Sequence, residues 1–116
     1  MKLDAIVEKL GLENLTPQVP PPAADVTGGY ASDLLSDVLA HGPRGGVLVT
    51  VQVHLNVIAV ALHAELAAVI FAAGRRPEEA GVAKAAEEGL TLLASPASSF
   101  DVVGRLYAIG IKGNHA

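Results

Sequence analysis

The chain has 116 residues, 51% hydrophobic but only 3% aromatic, and a formal charge of -4 from eight basic and twelve acidic side chains. That length holds one domain around one core, and with so few aromatics the core must be Val, Leu, Ile and Ala, a composition suited to a parallel sheet covered on both faces. The acidic balance argues against a nucleic-acid module, which carries a basic patch, and the absence of cysteine excludes disulfides and thiolate zinc sites.

Lys2-Leu3-Asp4-Ala5 places an acid where a signal peptide needs its apolar segment, and a chain without cysteine fits a reducing cytoplasm, the expected location. The apolar run from Val57 to Ala73 is interrupted by His63 and Glu65. A central acid costs roughly 3 kcal/mol on insertion, so no membrane span is expected.

Leu3, Ile6, Val7 and Leu10 follow the i, i+3, i+4, i+7 spacing of an amphipathic helix, and Gly11 suits a left-handed cap. A short strand is expected within residues 12–19, closed by Pro20-Pro21-Pro22, which cannot pair inside a sheet. A helix is expected over 32–41, with Leu34, Leu35, Val38 and Leu39 apolar, stopped by Gly42-Pro43. Residues 47–53 form the clearest strand, because β-branched residues dominate. A mostly buried helix over 55–66 leads to a short apolar strand over 68–72. Pro77 starts the next helix, Glu78-Glu79 suit its positive end, and it runs to Glu88 before Gly89. The last strand spans 90–94. A final helix opens at Ser95 or Ser98, passes through Phe100, Val103, Leu106 and Tyr107, and closes at Gly110.

The second half therefore reads β-α-β-α-β-α with short loops. It predicts an α/β fold, a three-layer α/β/α sandwich with a small, mostly parallel sheet, as a single domain over 1–111 with a loose tail over 112–116.

In such sheets ligands sit beyond the carboxyl ends of the strands. Those ends predict His54 and Asn56 after one strand, Arg75 and Arg76 after the next, and Ser95, Ser98 and Ser99 after the last. Asp25-Val26-Thr27-Gly28-Gly29-Tyr30 places two glycines before a predicted helix, where unpaired amides can hold an anion, or where the glycines simply serve a tight turn. If this segment shares the edge, Asp25, Thr27, Gly28, Gly29, His54, Asn56, Arg75 and Arg76 form a ligand rim suited to phosphate or carboxylate. Arg75 and Arg76 also have a plain reading, as solvated loop charges beside Glu78 and Glu79. Gln52 is either solvent-facing or buried with partners, and Arg44 reads as part of a surface turn.

Catalytic motifs are missing. There is no Gly-x-Ser-x-Gly elbow, no Walker loop and no Gly-x-Gly-x-x-Gly fingerprint, so an enzyme is not expected and no cofactor is predicted. His41, His54, His63 and His115 lack the paired spacing of metal ligands.

Asp25, Thr27, Gly28, Gly29 and Tyr30, followed by Ser32-Asp33-Leu34-Leu35-Ser36-Asp37, resemble the DRTGG domain family, closest to its small stand-alone members. The resemblance extends through Thr50 to His54, Asn56 and Gly104-Arg105-Leu106-Tyr107, nearly the whole chain. One departure is Val26, where the motif has arginine. The family includes the non-catalytic N-terminal part of HPr kinase/phosphorylase-like proteins, and related segments occur in phosphate acetyltransferases and beside CBS domains. The resemblance implies a regulatory or ligand-sensing domain rather than a catalyst, and the polar groups at the strand ends point to a small anionic ligand, a nucleotide or phosphorylated metabolite. The alternative is a ligand-free interaction or dimerisation module acting on a kinase or metabolic-enzyme partner. A homodimer is expected in either case, since a small sheet leaves edges and helix faces to cover.

Overall fold

The computed structural model describes residues 1–113. The elements run α1 (Leu3–Leu10), β1 (Glu13–Asn14), β2 (Gly29–Ala31), α2 (Leu35–His41), β3 (Val47–Thr50), α3 (Asn56–His63), β4 (Ala68–Phe71), α4 (Glu79–Glu87), β5 (Thr91–Ala94) and α5 (Ser99–Ala108). The sheet order is β1-β5-β4-β3-β2. Strands β2 to β5 are mutually parallel, while β1 runs antiparallel to β5 with Glu13 opposite Ala94.

The pleat divides the apolar residues between two cores. Val47, Val49, Ala68, Ile70 and Leu93 face one side, against Leu3 and Ile6 of α1 and Val102 and Leu106 of α5. Leu48, Val69, Phe71 and Leu92 face the other, against Val38 of α2, Val57, Ile58 and Ala61 of α3, and Ala85 of α4. The three-layer sandwich expected from the sequence is therefore present. Three successive crossovers pass over one face, and only the two terminal helices cover the other. Each fully buried Leu, Ile or Phe contributes about 1.5–3 kcal/mol.

Local chemistry sets the element ends. Gly11 caps α1 at φ +62°, its N–H donating to the carbonyls of Val7 and Glu8, as expected. Strand β3 stops at Thr50, short of residue 53, because the Thr50 hydroxyl turns the chain by accepting from the Gln52 N–H at 3.1 Å. Helix α3 ends at His63, before residue 66, because Glu65 adopts φ +56°. That conformation costs a non-glycine residue about 1–2 kcal/mol. It aims the Glu65 carbonyl at the Gly45 N–H, 2.8 Å away. Pro77 lies outside α4, whose N-cap is Glu78.

The largest departure from the sequence reading concerns residues 28–34. Gly28-Gly29 does not open a helix: Gly29 starts β2, which pairs with β3 through Gly29 opposite Val47. Neither glycine adopts a positive φ, so the tight-turn reading fails as well. Helix α2 begins only at Leu35, because the Asp33 carboxylate is held by the Thr50 hydroxyl and the Val51 N–H, both at 2.8 Å. At the other terminus Lys112 is fastened to β2, its carbonyl accepting from the Gly29 N–H at 2.9 Å. The remainder of the expected loose tail, residues 114–116 including His115, lies outside the described residues. Among the described residues no helix is long and apolar enough to cross a membrane.

Candidate functional site

The residues singled out by sequence fall at opposite ends of the sheet. Asp25, Thr27, Gly28 and Gly29 lie at the amino end of β2, and His54, Asn56, Arg75 and Arg76 follow the carboxyl ends of β3 and β4. The common rim they were expected to share does not form, because the unforeseen strand β2 carries the chain across the sheet between Gly29 and Ala31.

At the amino end the polar backbone is engaged by the protein itself. The Thr27 N–H donates to the Gly45 carbonyl at 3.1 Å and its hydroxyl to the Arg44 carbonyl at 2.7 Å. The Val47 N–H donates to the Gly28 carbonyl, and the Ala67 N–H to the Gly46 carbonyl. Arg44 pairs with Glu65 at 2.8 Å, joining the same two loops. Asp25 meets the chain's amino terminus at 3.4 Å and Lys2 at 3.6 Å, and its carboxyl is held below the usual range, chiefly by the Lys2 charge. Val26, at the motif's arginine position, is buried in the core beneath α1 and α5. This end is a structural junction.

The carboxyl end is different in kind. Helices α2 to α5 all begin there, so their partial positive ends face the same rim. His54 is exposed, its Nδ1 accepting from the Asn56 N–H at 3.0 Å, which leaves Nε2–H as a donor toward solvent. Gln52 is half-buried and accepts from the His54 N–H at 3.3 Å, the partnered alternative of the sequence reading. Arg75 is exposed and forms no ion pair among the described residues. Arg76 instead makes a two-pronged contact with Glu13 of β1, at 2.8 and 2.7 Å, rather than with Glu78 or Glu79. The guanidinium lowers the Glu13 pKa by hydrogen bonding, and Glu13 in turn raises that of Arg76. A cavity of about 380 Å³ lies beside this pair, lined by Gly74, Ala94 and Ser95 among others. Its loops are tied together: the Ala73 N–H donates to the Ala97 carbonyl at 2.7 Å and the Gly74 N–H to the Ser95 carbonyl at 3.0 Å. Ala73 and Gly74 both adopt positive φ to do so. Among the described residues no group of His, Cys, Asp or Glu is arranged to hold a metal ion.

Comparison with known proteins finds a likeness in fold. No protein-family model matches the chain, and no curated protein matches it significantly. Among solved structures the fold is similar to the CBS and DRTGG domains of the regulatory region of Clostridium perfringens pyrophosphatase, a structure that contains the activator diadenosine tetraphosphate. The TM-score is 0.67 at 14% identity, over 90% of this chain and 45% of the other. The chain thus spans less than half the length of that structure. At such identity the likeness establishes the α/β fold.

A second feature was not anticipated from the sequence. A groove of about 550 Å³ runs around the free edge of β2, between α2 and α5. One wall carries Tyr30, Asp37 and His41. The Tyr30 hydroxyl reaches both Asp37 oxygens at 2.8 Å, and His41 Nδ1 lies 3.1 Å from Asp37. The phenol and carboxylate shift in opposite directions, Tyr30 upward and Asp37 downward, because their shared hydrogen bond needs one protonated and the other ionised. The other wall carries Val103, Leu106 and Tyr107, with the Lys112 ammonium 5.4 Å from the Tyr107 ring centre. The i, i+4 spacing of Asp37 and His41 was the available sequence signal for the first wall. Nothing local announces the second.

Proposed function

We propose that the chain is a non-catalytic regulatory domain that senses a small anionic ligand, a nucleotide or phosphorylated metabolite, at the carboxyl end of its sheet. The observation that carries this reading is the carboxyl rim itself. Arg75, which forms no ion pair among the described residues, and His54, with its outward Nε2–H, follow the carboxyl ends of β4 and β3. Helices α2 to α5 begin at that end, and the same end holds the cavity beside Glu13 and Arg76. Arginine grips oxyanions with parallel hydrogen bonds, and helix N-termini favour negative charge. The fold's likeness to a regulatory region solved with a dinucleotide activator lends support. Of the residues named from the sequence, His54, Asn56 and Arg75 carry this proposal. Arg76 is a wall already occupied by Glu13, and Asp25, Thr27, Gly28 and Gly29 hold the fold.

The test is a thermal-shift and calorimetric panel of adenine and guanine mononucleotides, diadenosine tetraphosphate and sugar phosphates at low salt. A binder at 100 times its dissociation constant stabilises by about 2.7 kcal/mol. Arg75→Ala removes the response while leaving the unliganded midpoint in place. Silence across the panel sinks the proposal.

A second reading, assembly as a homodimer without a ligand, is favoured by a separate observation. Phe100 is 87% exposed and Tyr107 60% exposed on α5, although an isolated small domain gains nothing from presenting large apolar side chains.

A further inference from the structure

Helix α5 carries two apolar stripes. Val102 and Leu106 are buried against the sheet, while Phe100, Val103 and Tyr107, spaced i, i+3, i+7, face outward. The outer stripe adjoins the groove, which Val103 and Tyr107 line. Across the groove, Asp37 and His41 of α2 form the facing wall, and Leu34, which precedes α2 at the same spacing, is 64% exposed beyond it. Between the two walls lies β2, the edge strand of the sheet, protected within the chain only where the Gly29 N–H meets the Lys112 carbonyl among the described residues. Of the exposed large apolar residues, Val103 and Tyr107 line this groove and Phe100 continues their stripe, while Met1, Leu34, Leu39 and Leu55 lie outside its lining. The charges on the two walls are opposite: Asp37 on one side, Lys112 on the other.

We infer that this groove is the seat of a second copy of the same chain, related by a two-fold axis parallel to β2. This names the surface for the assembly reading above and rests on it. Such an axis turns α2 of one copy toward α5 of the other. Each Asp37 then faces Lys112 of the second copy, while the Phe100–Val103–Tyr107 stripe covers the open edge opposite it. The surface is self-complementary in charge, as an isologous contact requires. An apolar centre ringed by polar groups is the ordinary anatomy of such interfaces. Asp37 keeps its contacts with Tyr30 and His41 and offers its remaining acceptor capacity to Lys112 of the second copy, a pairing that symmetry repeats.

Light scattering on the full chain over a concentration series tests this directly. The wild type reads as a dimer. Val103→Glu and Tyr107→Glu, both at exposed positions and checked for an unchanged circular-dichroism spectrum, read as monomers. Leu55→Glu, exposed away from the groove, remains a dimer. Lys112→Glu weakens the dimer by about tenfold, and adding Asp37→Lys restores it. A wild type that is monomeric at every concentration overturns both this surface and the assembly reading. A dimer indifferent to Val103→Glu and Tyr107→Glu overturns the surface alone. Neither result touches nucleotide binding at the carboxyl rim, which is read separately.

Discussion

The two ends of the sheet spend their polar groups differently. At the amino end, Thr27, Gly28, Arg44, Gly45, Gly46, Glu65 and Ala67 satisfy one another through short backbone and side-chain bonds. At the carboxyl end the loops are also tied together, yet His54 and Arg75 remain exposed with donors pointing outward. The glycine-rich segment is therefore part of a junction whose polar groups bond to the protein itself. Gly46 there admits close packing of backbone on backbone, whereas at the carboxyl end His54 and Arg75 keep their side chains exposed.

Glycine substitutions probe that contrast most strongly. A Cβ on Gly46 would lie 2.5 Å from the Pro43 ring and 2.8 Å from the Gly28 carbonyl, with no flexible side chain able to move aside. Gly46→Ala should cost about 3 kcal/mol in denaturant unfolding, the upper part of the overpacking range. Gly74 at the carboxyl end has φ +71° and nothing within 4 Å of its would-be Cβ. Gly74→Ala should therefore lose only the left-handed penalty of about 1 kcal/mol. Equal losses would erase the distinction between a packed junction and an open rim.

Asp33 gives the next largest effect. Its carboxylate joins the end of β2 to the end of β3 through Thr50, which is fully buried, and the Val51 N–H. Asp33→Ala should destabilise by about 1–2 kcal/mol, because two donors lose a charged acceptor and one of them is in the interior. Asp33→Asn should recover part of this. A loss confined to a few tenths would show that the carboxyl loops stand without this brace, and the two ends would then differ less than their bonding suggests.

The sequence made most of this architecture legible, and the exceptions share a cause. Strands β3, β4 and β5 are apolar runs rich in β-branched residues or leucine, and α1 shows its stripe and its glycine cap. These are local signals. Strand β2 has none: Gly29-Tyr30-Ala31 becomes extended because Val47 to Val49 offer it a parallel edge. Missing it reversed the end of the sheet to which Thr27 and Gly28 belong. The Arg76–Glu13 contact spans 63 residues, so no spacing rule reveals it. In α5 the expected face mixed Leu106 with Phe100, Val103 and Tyr107, and only packing decides that Val102 and Leu106 turn inward. His54, Asn56 and Arg75 fall beyond the carboxyl ends of β3 and β4 as expected, because strand ends are predictable once the strands are.

A gentler probe is acid titration of the Tyr30–Asp37 bond beside the groove. Tyr30 is the principal reason that Asp37 stays ionised to lower pH than an ordinary carboxylate, with Ser32 and His41 adding less. A depressed folded-state pKa means that the unfolded chain binds more protons near pH 4, so stability rises with pH there. The contribution is complete above the unfolded carboxylate pKa and is lost as pH falls through the folded value. Tyr30→Phe should lower the unfolding midpoint at neutral pH, where this contribution is complete, change it little well below pH 4, and so flatten the acid slope near about pH 4. An unchanged acid limb would mean that the phenol does not hold the carboxylate in solution.

The smallest expected change in stability separates two adjacent arginines. Arg75 and Arg76 share a loop and a charge, yet among the described residues only Arg76 has a carboxylate in its grip. That pair is exposed at both ends, and exposed pairs contribute little because water screens them and ordering two long side chains opposes the attraction. Neither Arg75→Ala nor Arg76→Ala should move the unfolding midpoint appreciably, and the small loss from Arg76→Ala should fade with added salt. Their effects on nucleotide response should differ sharply. Arg75→Ala removes a free donor and with it the response, whereas Arg76→Ala frees Glu13 beside the cavity and only weakens an anion's welcome through the uncovered negative charge. Equal losses from both variants would indicate that the ligand breaks the Glu13 contact on binding. The rim would then behave as a latch opened by its anion, and the contrast between a closed amino end and an open carboxyl end would hold only in the liganded state.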